Sequence, residues 1–105
     1  MNDLPHGMGE IEWKDGERYR GTFHKGTIDG KGRYEFKNGS IYDGAWRDGE
    51  RNGFGKKEDA DGYIYEGEWK NNCRHGKGIT RWPNGDRYEG EFDMNKRSGF
   101  GTYWY

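Results

Sequence analysis

Valine is absent from this chain, and leucine occurs once, at Leu4. An interior of ordinary aliphatic side chains is therefore excluded. Only 29% of the residues are hydrophobic, and no run of them is long enough to cross a bilayer. No signal-peptide pattern opens the sequence. Cysteine also occurs once, as Cys73, so an internal disulfide is ruled out and an intracellular setting is expected. A charge excess is missing too. The 18 Lys+Arg face 19 Asp+Glu for a net charge of −1, whereas nucleic-acid proteins usually carry a basic surplus. With 35% of residues charged, these shortages alone would describe a disordered chain. Two abundances oppose that: 17% of the residues are aromatic, and 20 are glycine. Whatever is buried must be mostly Trp, Tyr and Phe. At 105 residues the chain suffices for one domain.

The glycines reveal an internal repeat. Gly7, Gly30, Gly53, Gly76 and Gly99 are 23 residues apart, and so are Gly9, Gly32, Gly55, Gly78 and Gly101. Gly16, Gly39, Gly62 and Gly85 form a third series, and Gly21, Gly44, Gly67 and Gly90 a fourth. Gly26 and Gly49 are followed in phase by Asn72 and Asn95, and Asn is the next best residue for a left-handed backbone. The units are 7–29, 30–52, 53–75 and 76–98, with the start of a fifth at 99–105 and a lead-in at 1–6. Each opens Gly-x-Gly. Each whole unit then carries Asp-Gly or Asn-Gly, followed by Tyr-x-Gly-x-aromatic: YRGTF, YDGAW, YEGEW, YEGEF.

Asp-Gly or Asn-Gly between short alternating runs is a hairpin signal. Each unit is expected to be one β-hairpin, and the chain an all-β, elongated, single-layer antiparallel meander. About nine strands at roughly 4.8 Å each would make a ribbon nearly 40 Å long. Helix is disfavoured, because interior glycines cost about 1 kcal/mol each. An odd loop inside each unit keeps both Gly-aromatic sets on one face. A five-residue loop would set Gly32 beside Trp46, Tyr34 beside Gly44, and Phe36 beside Tyr42. An even loop between units would set Trp46 beside Gly55. Large rings would then lie over bare glycine backbone, which explains glycines inside strands. The opposite face carries charge, including Glu35, Asp43, Glu66, Glu68, Glu89 and Glu91.

These units resemble the MORN repeat (membrane occupation and recognition nexus). GKGITRWPNGDRYEGEF stands close to the family style GKGTYTYANGDRYEGEW, and the likeness runs over residues 7–105. The resemblance implies an elongated twisted sheet without catalysis of its own, and a scaffold or adaptor role in cytoskeletal, ciliary or membrane-junction proteins. It also implies homodimerisation in some members and a partner's amphipathic helix held in the groove in others. Some members carry the repeats beside an enzyme domain, so a regulatory segment of a larger enzyme is one alternative. A cytoplasmic location, associated with cytoskeleton, cilium or membrane, is the matching expectation. The third unit departs from the pattern, with Lys57 and Asp59 where rings are usual, and the fourth has Thr80 but keeps Trp82. The interruption is read as a solvated defect, with a local bend or a polar contact point as the other readings. The fifth unit stops after one strand, as a fragment of a longer array or as a cap whose open edge invites pairing.

No catalytic set stands out. Glu66 and Glu89 recur at equivalent exposed positions, which reads as a solvated face. Cys73 and His75 lack a second ligand pair, so no metal is expected. The Gly-x-Gly openings precede no helix that could hold a phosphate, and no cofactor is expected. For nucleic acid there are aromatic platforms but no electrostatic funnel, so no such partner is expected. Lys56-Lys57 and Lys96-Arg97 are short pairs near acids, a weak basis for phospholipid binding. Protein binding is the main expectation, because an aromatic groove suits an amphipathic helix and Tyr and Trp are enriched in hot spots. The expected groove comprises Tyr34, Phe36, Tyr42, Trp46, Lys57, Asp59, Tyr65, Trp69, Trp82 and Tyr88. Among these, Tyr42, Trp46, Tyr65 and Trp69 are expected to be mainly structural, and Tyr34, Phe36 and Trp82 more available. On the charged face, Phe54, Phe100, Ile41, Ile64 and Trp104 would form a second contact surface or pack on charged stems.

Overall fold

A computed structural model describes residues 7–105; the expected lead-in at 1–6 lies outside the described residues. The nine strands are β1 (Gly7–Glu12), β2 (Arg18–His24), β3 (Thr27–Glu35), β4 (Ile41–Arg47), β5 (Glu50–Glu58), β6 (Ile64–Lys70), β7 (Cys73–Arg81), β8 (Arg87–Asp93) and β9 (Lys96–Trp104). They pair antiparallel in strict chain order in one open sheet, and no helix occurs among the described residues. The molecule measures 55 × 25 × 17 Å. Its long axis exceeds the 40 Å expected from stacking alone.

Two turn types alternate, each dictated by its residues. Inside a unit, Gly39 N–H donates to the Phe36 carbonyl (3.0 Å) and Phe36 N–H to the Ser40 carbonyl (2.8 Å). Gly39 sits at φ +93°, so a three-residue loop closes as a type I turn followed by a left-handed glycine. The Asn38 side chain accepts from Ser40 N–H at 2.9 Å, and Asp15, Asp61 and Asn84 do the same for Glu17, Tyr63 and Asp86. Between units the loops have two residues, both with positive φ: Lys25-Gly26, Asp48-Gly49, Asn71-Asn72 and Met94-Asn95. These are the type I′ turns whose twist suits a hairpin. Asn72 and Asn95 occupy the left-handed positions that the repeat phase assigned to them.

The parity of the loops holds, but the register is corrected. In the second unit Gly30 faces Trp46, Gly32 faces Gly44, and Tyr34 faces Tyr42. The loop is two residues tighter than expected, so every pair slides by two. Between units Gly44 faces Gly55, and Trp46 faces Arg51 rather than Gly55. A β-bulge at Gly53, whose φ is +107°, causes this shift. It recurs beside Gly30 and Gly76, so the first glycine of the opening Gly-x-Gly supplies a bulge.

The buried set is Tyr19, Phe23, Tyr42, Trp46, Tyr65, Trp69, Tyr88 and Phe92. Rings do lie over bare glycine, but the ring is the tyrosine, not the tryptophan. A Cβ at Gly55 would run into the Tyr42 phenol and one at Gly78 into the Tyr65 phenol, while one at Gly44 or Gly67 would meet first the backbone of the facing strand and then the same phenol.

Candidate functional site

The eight core rings form one unbroken edge-to-face ladder. Phe23, Tyr19, Trp46, Tyr42, Trp69, Tyr65, Phe92 and Tyr88 follow one another at centroid distances of 5.0 to 5.7 Å. Edge-to-face contact suits the ring quadrupole and adds to the area each ring buries. The polar ends are satisfied by backbone. Tyr42 Oη donates to the Ala45 carbonyl (2.8 Å) and Tyr65 Oη to the Glu68 carbonyl (2.8 Å). Ala45 and Glu68 are the residues that the register shifts leave without a partner in β5 and β7. Trp46 Nε1–H donates to Gly32 O and Trp69 Nε1–H to Gly55 O, both at 3.1 Å. Burial pushes the Tyr65 phenol up to about 12 and raises Tyr19 and Tyr42 as well. Tyr42, Trp46, Tyr65, Trp69 and Tyr88 thus make up the floor, and their accessible surface is below a tenth of its full extent.

Above that floor, toward the type I turns, stand two groups of half-buried rings. Tyr34 contacts Phe36 (4.6 Å) and the exposed Trp13 (5.5 Å). Tyr34 Oη donates to Glu17 Oε1 at 2.6 Å; burial and this carboxylate raise its pKa. The second group joins Tyr63 to Trp82 (5.8 Å) and stacks Trp82 on Tyr103 (5.2 Å). Lys57 and Asp59 occupy the gap between the groups. Lys57 Nζ lies 3.5 Å from Asp59 Oδ1 and 5.5 Å from the Phe36 ring centre. Pairing runs without a shift through Lys56, Lys57 and Glu58 on both sides, so the interruption introduces no bulge. Thr80 is buried on the floor, and its hydroxyl has no hydrogen-bond partner.

Sequence reasoning missed a row of arginines on this face. Arg51 lies over Trp69 (4.7 Å) and Tyr42 (5.8 Å). Arg74 lies over Phe92 (5.2 Å) and Tyr65 (5.7 Å), and Arg97 over Tyr88 (5.6 Å) and Tyr103 (5.8 Å). The next repeat's turn clamps the first two. Arg51 Nε and Nη2 donate to Asn72 Oδ1 (3.2 Å) and O (3.1 Å). Arg74 does the same to Asn95, at 3.4 and 2.7 Å. Burial lowers the Arg51 pKa from its ordinary value, against the opposing effects of Tyr42, Cys73 and Asp59. The missed signal was the spacing: 51, 74 and 97 are 23 apart, like the glycines. Two adjoining cavities of about 480 and 460 Å3 open here. Their walls carry Arg51, Lys57, Arg74, Lys96 and Arg97 against Asp59 and Asp61.

On the reverse face Phe54 and Phe100 are 63% and 91% exposed. They flank a shallow cavity of about 650 Å3, lined by Glu66, Glu89 and Glu91 with one cation, Lys77. Trp104 packs under Arg87, whose guanidinium is 4.0 Å from the ring centre. His75 Nδ1 is 3.5 Å from Asp93, and Cys73 is a free thiol. Among the described residues no group of three His, Cys, Asp or Glu comes together as a metal site.

No curated protein matches the chain. The family model described as MORN repeat matches residues 1–18, 19–41, 42–62, 65–87 and 88–105. From the second segment on, each match begins at a buried tyrosine: Tyr19, Tyr42, Tyr65 and Tyr88. Repeats of this kind are generally non-catalytic and often serve in protein or membrane binding. With nearly every residue matched, the chain belongs to the MORN-repeat family.

Proposed function

We propose that this chain is a non-enzymatic scaffold or adaptor module that docks a partner protein's segment, helical in form, along its aromatic-glycine face. The observation that carries this reading is the division of the rings. The inner ladder is complete and satisfied by backbone. The outer rings Tyr34, Phe36, Trp82 and Tyr103 pack on it yet stay partly open. An apolar helix face with anchors at i, i+3, i+4 and i+7 finds its complement in such a surface. Half-buried aromatic side chains supply contact area at low entropic cost. The inner rings hold the shape, and the outer rings meet the partner.

The test is affinity capture with the intact chain beside a Phe36→Ala, Trp82→Ala variant, checked by near-ultraviolet circular dichroism for an intact inner ladder. A partner held by the intact chain and lost by the folded variant supports docking on this face. A partner held equally by both moves the contact to the reverse face or to a strand edge. Capture of anionic vesicles and of no protein would favour a lipid tether, and that binding would fade as salt rises.

A further inference from the structure

Arg51, Arg74 and Arg97 make up a regular row of cations. Each stands at the same place in its repeat and lies across aromatic rings, three for Arg51 and two each for Arg74 and Arg97. Asn72 and Asn95 fix the first two guanidinium planes, each accepting one hydrogen bond on its side-chain Oδ1 and one on its backbone carbonyl, and Arg74 also donates to Tyr63 Oη at 2.8 Å. None of the three has a carboxylate within ion-pair distance among the described residues, where the pairs are Arg18–Glu35, Lys57–Asp59 and His75–Asp93. A guanidinium has five N–H donors, so the clamps leave part of each fork unused. Arg51 and Arg74 are held in position and half-buried, Arg97 is exposed over its two rings, and all three are left unpaired by the chain itself. That state makes an incoming anion more valuable than at a fully solvated arginine.

The spacing says what kind of anion fits. Equivalent residues of successive repeats are two strands apart, about 9.6 Å. Seven residues of an α-helix rise about 10.5 Å. A helix lying across the strands therefore presents residues i, i+7 and i+14 to the three arginines in turn. It also turns its i+3, i+4, i+10 and i+11 side chains to the same side. We infer that the partner segment is an acidic amphipathic helix whose carboxylates recur every seven residues and pair with Arg51, Arg74 and Arg97. This rests on the docking reading above and gives it a chemical identity. The heptad carboxylates set the register and the apolar positions between them meet the rings. Nucleic acid fits less well, because the core rings are buried edge to face and offer no open face for a base.

The experiment is selection from a display library of helical peptides about 22 residues long, with their surface positions randomised, on the intact chain at physiological salt. The expected result is Asp or Glu enriched at three positions seven apart, with apolar residues three and four places after each of the first two. In a selected peptide, changing the middle carboxylate to Gln should weaken binding roughly fivefold. The same change should matter little on an Arg74→Gln chain. The peptide-side substitution reads the contact even if an arginine variant fails to fold. Enrichment of apolar residues without acids, or of acids without the seven-residue period, overturns this inference and leaves docking standing. No enrichment at all overturns both. Arginine-dependent binding of phosphatidylserine vesicles or of a thymidine oligonucleotide, with no peptide selected, also overturns it.

Discussion

At the scale of single residues, the decisive pairing is a tyrosine over two glycines. Tyr42 covers Gly44 in its own strand and Gly55 in the next, and an added Cβ at Gly55 would collide with the hydroxyl end of the phenol. Gly55→Ala is expected to cost about 3 kcal/mol in urea denaturation, the range of a forced overpacking. Gly85→Ala meets nothing within 4 Å and bears only its φ of +96°, for about 1 kcal/mol. The two substitutions thus separate a packing glycine from a turn glycine. The buried phenols also fix an alkaline limit. Tyr65 is raised to about 12 from 10.0, so its stabilisation is complete below pH 10 and falls as pH climbs toward 12. Tyr19 and Tyr42 act with the same sign. Unfolding and tyrosinate absorbance should rise together in that interval; free titration of these phenols in a folded chain would contradict it. The glycines were legible in the sequence because a missing Cβ or a positive φ leaves no substitute, so they recur without variation. The arginines were not, because a cation every 23 residues looks like a solvated face until the ring beneath it is seen.

At the scale of the hairpin, loop length decides which face a side chain takes, and turn chemistry decides how far the strands slide. The parity was readable: an odd loop within the unit and an even one between units put Tyr34, Tyr42 and Trp46 on one face. The offset was not, because Asn38-Gly39 admits both a two-residue turn and a turn with a bulge. The bulge glycines themselves looked like packing glycines. The same ambiguity hid the partner of Trp46, which is Arg51 and not Gly55. Turn chemistry also exposes a weak joint. Met94 stands at φ +48°, where a residue with a long side chain gains nothing and pays about 1 kcal/mol. Asp48 and Asn71 fill the equivalent place in two other units. Met94→Asn is expected to stabilise the β8–β9 hairpin by about 0.5–1 kcal/mol, read as a rise in denaturation midpoint at unchanged slope. No rise would mean that Met94 packs usefully where it stands.

At the scale of the whole sheet, each strand hydrogen-bonds only to its chain neighbours, and the ring ladder reaches just one strand further, from β2 to β4, β4 to β6 and β6 to β8. Stability is then a sum of unit and joint terms, and the ends hold least. Amide exchange should be slowest in β4 to β7 and quickest in β1 and β9; uniform protection would point to a partner or second copy covering the ends. The balanced overall charge hid the groove because charge is sorted by face. Five cations against two acids line the two cavities on the aromatic side, while the reverse cavity holds three glutamates and one lysine. The type I′ turns carry a mechanical consequence. Gly49, Asn72 and Asn95 donate backbone N–H groups to Ile28, Arg51 and Arg74 of the preceding repeat, stitching one margin main chain to main chain. Along the other margin the ties run through side chains, as from Lys37 N–H to Glu17 and from Ser40 Oγ to Asp59. Under load the ribbon should behave as a leaf spring with one inextensible edge, fanning open from the Asp-Gly and Asn-Gly side, and a single-molecule pull anchored on either margin would register two different stiffnesses.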